Sequence, residues 1–96
     1  MAEIRGVPVT RGDVLFLEDA PKEDKLRLTM ASGISRGWIS VRTVQGFTVI
    51  ISKDEFDCFT VAGHIERLGE LAGFIADFKG GREIEQEETG QLKLAI

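Results

Sequence analysis

Hydrophobic and polar residues alternate through the middle of the chain, and this alternation predicts β-strands. In KLRLTMA, residues 25–31, apolar side chains occupy every second position, which is typical of a half-buried strand. WISVRTV, residues 38–44, alternates in the same way and is rich in β-branched residues. FTVIIS, residues 47–52, follows it after a plausible tight turn at Gln45-Gly46. The centre of the protein is therefore predicted to be an antiparallel meander of three or four strands.

Two further apolar segments precede this meander. VLFLE, residues 14–18, is a nearly unbroken apolar run and predicts another strand. IRGVPVT, residues 4–10, contains Pro8, which cannot donate a hydrogen bond to a ladder, so it is predicted to be an edge strand or an extended arm. Between these segments, the tripeptide RGD at residues 11–13 marks a turn.

The hydrophobic period becomes helical in the second half of the chain. Ser52 and Glu55 have the spacing of a capping box, which opens helices. Residues 64–79 carry apolar side chains at helical spacing, and the pair Gly80-Gly81 is a stop signal. This pattern predicts a helix over residues 64–79.

The segment between the cap and this helix, residues 55–62, allows two interpretations. It forms the first turns of one long helix that ends near Lys79, which the capping box favours. Alternatively it forms another strand, because Phe59 and Val61 favour β-structure, and the helix then begins near Gly63.

Together these elements predict an α+β protein: an antiparallel β-meander of four to five strands, one main amphipathic helix and an acidic C-terminal segment. Ninety-six residues are too few for two independent cores, so residues 1–81 are predicted to form a single domain. Residues 82–96 are first acidic and then alternate apolar with polar residues. They are predicted to be an acidic tail or a short hairpin that packs on the helix or on a partner subunit.

A helical wheel shows that apolar and small residues cover well over half of the predicted helix. Each glycine inside a helix costs about 1 kcal/mol relative to alanine, and a close approach of another backbone would explain that cost. The helix is therefore predicted to form a dimer or a higher oligomer. The predicted dimer interface consists of Leu68, Gly69, Ala72, Gly73 and Ala76. The alternative is that the chain's own sheet covers one side of the helix and the C-terminal LKLAI covers the other.

The net charge of −4 conceals an uneven distribution. From Lys25 to Lys53 there are five basic residues and no acidic residue, whereas the chain from Asp54 onward carries ten acidic and four basic residues. Local charge selects partners better than the total does, so the basic middle could attract an acidic partner. The chain starts without a signal-peptide pattern and has no apolar run of about 20 residues, so a cytoplasmic protein without a membrane partner is expected.

The only tryptophan, Trp38, lies within this basic interval. Strand alternation places Arg36 and Arg42 on the same face, and Lys25 and Arg27 join them if the preceding strand is adjacent and shares that face. An aromatic ring surrounded by cations suits single-stranded nucleic acid, because bases stack on the ring and cations follow the backbone. The candidate nucleic-acid-binding residues are therefore Lys25, Arg27, Arg36, Trp38 and Arg42.

The same residues have other interpretations. Trp38 could pack in the core beneath the helix, or it could form a cation–π contact across strands with no ligand. It could also anchor a protein partner, since tryptophan and arginine are enriched at the centres of interfaces. The face of this strand that the helix covers decides between these interpretations.

Candidate catalytic and metal-binding residues are few. Cys58 and His64 are the only cysteine and histidine, which is too few for a zinc site within one chain. The chain lacks a phosphate-binding loop and the pattern of a calcium loop. The sequence favours a non-enzymatic protein with no metal and no cofactor. The leading hypothesis is binding of single-stranded nucleic acid, and the alternative is a protein-interaction or assembly module that acts through the helix and Trp38.

Overall fold

A computed structural model describes residues 2–78 of the chain, which form an antiparallel sheet with a short helix on one face. The strands are β1 (Glu3–Ile4), β2 (Val7–Pro8), β3 (Asp13–Leu17), β4 (Leu28–Ile34), β5 (Trp38–Arg42), β6 (Thr48–Ser52) and β7 (Phe59–His64). The helix α1 spans Leu71–Asp77, and two 3₁₀ helices span Lys53–Cys58 and Leu68–Glu70. The predicted α+β class with an antiparallel sheet is confirmed.

Within the described residues the sheet contains five strands in the order β6-β5-β4-β3-β7, and every neighbouring pair is antiparallel. Strands β3 to β6 form the predicted meander. The chain then crosses from one edge of the sheet to the other, where β7 pairs with β3. Strands β1 and β2 form a separate two-stranded hairpin. The two sheet edges are therefore β6 and β7, which lie on opposite sides of the meander.

The long-helix interpretation of residues 55–62 is wrong. The capping box is present, since the Ser52 amide donates to a Glu55 carboxylate oxygen at 3.1 Å, but it opens a 3₁₀ helix that ends at Cys58. Phe59 then begins β7, which supplies the second neighbour of β3. Pairing with an unfilled sheet edge, together with the β-forming residues after Cys58, prevails over the local helix signal.

The predicted helix over residues 64–79 is also too long. His64 ends β7, and the Ile65 amide donates to the Gly12 carbonyl at 2.8 Å, which holds this segment against the start of β3. A 3₁₀ helix follows, and α-helical geometry begins only at Leu71. Residues 79–96, including the predicted helix end at Lys79, the stop signal and the acidic segment 82–96, lie outside the described residues.

The sheet has two covered faces. The face to which Leu15, Ala31, Ile39, Val41 and Ile51 project, here called the hairpin face, is covered by the β1–β2 hairpin and by Phe56 of the first 3₁₀ helix. The opposite face, to which Val14, Phe16, Leu28 and Met30 project, is here called the helix face, because Leu71 and Phe74 of α1 pack there. Both faces of β3 and β4 are consequently buried, whereas β5 and β6 extend beyond α1.

Candidate functional site

Trp38 lies on the helix face but outside the area that α1 covers. Met30 stands directly opposite Arg42 in the β4–β5 ladder, so the alternate residues of β5, Trp38 among them, share the face of Met30. The intervening residues Ile39 and Val41 are buried on the hairpin face. Trp38 itself is 43% exposed. It is therefore neither the core residue beneath the helix nor fully solvated.

The five predicted nucleic-acid-binding residues do not form one ring of cations. Arg27 is buried, with its guanidinium carbon 5.4 Å from the ring centroid of Phe16 and 5.6 Å from that of Phe78. It thus stabilises the core next to α1 by cation–π contact. Lys25 is exposed in the loop before β4, at the sheet end opposite to Trp38.

The two remaining arginines flank Trp38 at opposite ends of β5. Arg36 is exposed in the turn before the strand. Arg42 is exposed at the other end, where its Nη2 donates to the Gly46 carbonyl at 3.1 Å and closes the β5–β6 turn. The structure brings Arg36, Trp38 and Arg42 onto the β5–β6 hairpin, whereas Lys25 and Arg27 lie elsewhere.

The immediate neighbours of Trp38 are small or apolar rather than charged. Ser52 stands directly opposite it on β6, and Ile50, which is 58% exposed, is its diagonal neighbour on the same face. On the β4 side the indole lies beside Gly33, where a Cβ would be in ordinary van der Waals contact with Trp38 Cζ3 at 3.8 Å. We call Trp38 and Ile50 the Trp38–Ile50 patch. Ile50 could not be recognised as a surface residue from the sequence, because an apolar residue within FTVIIS indicates a buried position.

Among residues 2–78, no strand pairs with the outer side of β6. Two hydrogen bonds fix the ladder with β5: the Thr43 amide donates to Phe47 at 2.9 Å, and the Lys53 amide donates to Gly37 at 3.0 Å. Antiparallel alternation then directs the amide and carbonyl groups of Thr48 and Ile50 away from β5. β6 contains no proline and no charged residue, the two devices that commonly protect an edge strand.

The opposite edge is protected where β7 begins. Arg5 donates from Nε to the Phe59 carbonyl at 3.1 Å and from Nη2 to the Asp57 carbonyl at 2.7 Å. Its Nη2 also contacts a carboxylate oxygen of Glu18 at 3.4 Å. A charged side chain thus occupies carbonyls at this edge, which makes the uncharged β6 edge the more accessible template for another strand.

A second group of polar residues surrounds His64 and includes the whole RGD tripeptide. Asp13 is mostly buried, and its Oδ1 lies 2.8 Å from His64 Nδ1, while its Oδ2 accepts from the Thr10 amide at 2.9 Å. The imidazole lies against Gly12, where a Cβ would come within 2.8 Å of His64 Cε1. Asp13 and Gly12 therefore orient the ring. A polar cleft of about 280 Å³ adjoins it, and its lining includes Arg11, Ser32, Arg42, His64 and Glu66.

Cys58 and His64 do not come together. Cys58 is exposed just before β7, and His64 is the last residue of that strand, so the length of β7, roughly 16 Å, separates them. Across residues 2–78, no group of three or more His, Cys, Asp or Glu side chains is placed to hold a metal ion. The RGD turn was predicted, but its pairing with His64 depends on a contact between β3 and β7 that local sequence does not reveal.

The stripe of small residues predicted to form a dimer interface faces outward. Gly69, Ala72, Gly73 and Ala76 are exposed, whereas Leu68 is partly buried against the helix-face core. A Cβ built on Gly69 or on Gly73 would meet no atom within 4 Å. Within residues 2–78 the stripe is thus not needed for packing against the sheet, and the dimer stays a prediction.

Replacing Gly73 with alanine tests this stripe. In a monomer the added methyl group enters open space, and helix propensity should raise the free energy of unfolding by about 1 kcal/mol. In a dimer that needs close backbone approach, the same methyl should weaken association. Urea denaturation and sedimentation velocity of both proteins measure the two effects. A destabilised Gly73→Ala variant with a larger dissociation constant would show that the stripe is an interface.

Comparison of the chain with protein families, curated proteins and solved structures finds no match. Among residues 2–78, no helix combines the length and the apolar character needed to cross a membrane.

Proposed function

We propose that this protein is a non-enzymatic interaction module whose β6 edge takes up an extended segment of a protein partner. The observation that carries the proposal is the uncharged edge of β6, with the amide and carbonyl groups of Thr48 and Ile50 directed outward. Strand addition to such an edge gains affinity from main-chain hydrogen bonds and specificity from pockets for alternate side chains. The Trp38–Ile50 patch supplies apolar contact beside that edge.

The surroundings of Trp38 favour a protein over single-stranded nucleic acid as the partner. Stacking of bases is productive when cations accompany the aromatic ring. Arg27 is instead stacked on Phe16 and Phe78, and Arg42 donates to its own turn. An exposed tryptophan beside an exposed isoleucine is the composition of a protein-binding hot spot.

The charge around the β5–β6 hairpin indicates the composition of the partner. Arg36 and Arg42 are exposed at the two ends of β5, and no acidic residue occurs between Lys25 and Lys53. The partner segment is therefore expected to carry an apolar residue at every second position and acidic residues at both ends. These rim charges would act mainly on the association rate and on its salt dependence.

A display selection of random peptides on the folded protein, followed by titration of the selected peptide against Trp38 fluorescence, tests the proposal. We expect alternating apolar residues in the selected sequences and a blue shift of the emission on binding. N-methylation at every second residue of the peptide should abolish binding in one of the two registers and spare it in the other, because only one set of amides faces β6.

Two variants separate the edge from the patch. Thr48→Pro removes an outward amide without removing a bond to β5, so it should block strand addition while β5–β6 pairing persists. Trp38→Ala should weaken the peptide by about tenfold or more. Full peptide affinity in Thr48→Pro would exclude strand addition.

An oligonucleotide is the control ligand. Quenching of Trp38 by a short single-stranded DNA that weakens with salt and is lost in Arg36→Glu and Arg42→Glu would support the nucleic-acid hypothesis and overturn the present one. If neither peptide nor DNA changes Trp38 fluorescence, the β5–β6 hairpin is not the binding surface.

A further inference from the structure

The β6 edge offers both main-chain groups and exposed apolar surface. Among residues 2–78 the amide and carbonyl groups of Thr48 and Ile50 point away from β5 and pair with no strand. The exposed Trp38–Ile50 patch lies beside them on the helix face. An unpaired edge next to apolar side chains is a template that another strand readily covers. The occupant that suits this edge is an extended segment whose apolar residues lie on the helix face.

The chain contains a segment of this kind beyond the described residues. Residues 91–96 read QLKLAI, in which Leu92, Leu94 and Ile96 occupy every second position. Such alternation is typical of a strand that buries one face. The segment contains no proline and no glycine, so each of its residues can contribute to a ladder. The sequence of residues 91–96 therefore matches what the β6 edge requires.

The intervening residues are long enough to bring this segment to β6. The last described residue, Phe78, packs on Phe16 of β3, with the ring centroids 4.9 Å apart. A strand added outside β6 would lie four strand spacings from β3, which is about 19 Å. Residues 79–90 could span up to about 40 Å, since an extended chain covers roughly 3.3 Å per residue. The same chain can therefore supply the added strand.

The charges along this path are complementary. Residues 83–88 carry four glutamates and no basic residue. Between α1 and β6 they would cross the helix face of β5, where Arg42 is exposed. Pairing β6 with β6 of a second copy would instead bring two basic intervals together, and like charges across an interface are unfavourable. Charge thus favours the chain's own C-terminal residues as the occupant.

We propose that residues 91–96 pair with β6 of the same chain and cover the Trp38–Ile50 patch, so that a protein partner must displace them. This inference rests on the proposed function, because it concerns the regulation of the same edge. A tethered segment acts at an effective concentration on the order of millimolar, so a partner has to compete with it. The C-terminal segment thereby restricts β6 to partners that bind more tightly than it does.

Hydrogen exchange in the full chain tests this pairing directly. Leu94→Asp places a charge among the apolar positions, whereas the matched control Ala95→Asp places the same charge at an intervening position. We expect the outward amides of Thr48 and Ile50 to exchange about tenfold faster or more in Leu94→Asp than in wild type, because the segment no longer protects them. Ala95→Asp should keep them protected. The Val49 amide, which is directed toward β5, should exchange at the wild-type rate in both variants.

The peptide selected on the folded protein supplies a second readout. It should bind Leu94→Asp about tenfold more tightly than wild type, since the tethered competitor is weakened. Equal exchange of the Thr48 and Ile50 amides in wild type and Leu94→Asp would overturn the inference. Protection that increases with protein concentration would also overturn it, because the segment would then come from a second copy. The proposed function is judged separately: if the selected peptide leaves Trp38 fluorescence of Leu94→Asp unchanged, β6 takes up no partner, whatever the exchange rates are.

Discussion

Replacing Gly12 with alanine is expected to lower the free energy of unfolding by about 2–4 kcal/mol. Gly12 has a φ angle of +96°, which is strained for a residue with a Cβ. The added Cβ would also lie 2.6 Å from the Ile65 carbonyl oxygen, a backbone atom that cannot move aside without disturbing β7. Strain and clash therefore add at a single position.

Urea denaturation of wild type and Gly12→Ala measures this loss. Gly46→Ala is the matched control, because Gly46 has a similar φ angle of +93° but open space around its Cβ position. It should cost only the backbone contribution of about 1–2 kcal/mol. If both variants lose the same free energy of unfolding, the close approach of Gly12 to Ile65 and His64 does not contribute to the loss.

Gly12 matters because it joins three parts of the fold. Its amide donates to the Ala31 carbonyl of β4 at 2.8 Å, and its carbonyl accepts from the Ile65 amide after β7. The adjacent Asp13 holds His64. The sequence predicts a turn at residues 11–13. The hydrogen bonds of Gly12, however, are made to β4 and to the segment after β7, which are both distant in the chain.

The strands could be predicted because their signals are local. Alternation in WISVR agrees with the burial of Ile39 and Val41 and with the exposure of Trp38 and Arg42 in β5. The extent of the helix could not be predicted in the same way. The helical spacing of apolar residues continues into a segment that instead forms β7 and pairs with β3. Val61 looks like part of a helical stripe, yet it pairs with Leu15 of β3. The spacing of apolar residues along one segment does not show that a strand elsewhere in the sheet still lacks a neighbour.

The five predicted binding residues do not lie together, and the register of the strands is one reason. The pattern in residues 25–31 separates Leu28 and Met30 from Arg27 and Thr29, which is correct for the strand portion. The ladder, however, places Met30 rather than Thr29 on the face of Arg42. A shift of one residue exchanges the faces of a strand, so no pattern within one strand reveals which of its faces joins the neighbour's.

This register also changes the functional hypothesis. Thr29 is buried on the other side of the sheet, and Arg27 stacks on Phe16 and Phe78 at the sheet end opposite to Trp38. What remains beside Trp38 is an apolar, uncharged edge, which suits a peptide backbone better than a phosphate chain. Under the proposed function, the basic residues between Lys25 and Lys53 would form the rim of the partner interface.

Replacing Leu71 with alanine is expected to lower the free energy of unfolding by about 2–5 kcal/mol, the range for a fully buried leucine. Alanine is the better helix former, so the loss reports packing of α1 on the helix face and not its intrinsic helicity. A helix of seven residues is not stable alone in water, so without this anchor α1 should detach and uncover Phe16.

Two measurements distinguish detachment from simple weakening. Hydrogen exchange of the α1 amides should accelerate more than that of the β4 and β5 amides, since the meander has its own core on the hairpin face. Leu68→Ala is the matched control, because Leu68 is only partly buried at the same core and should cost less. If Leu71→Ala changes stability no more than Leu68→Ala, α1 does not close the helix face. Under the proposed function, peptide binding at β6 should survive in either variant, because α1 does not cover that edge.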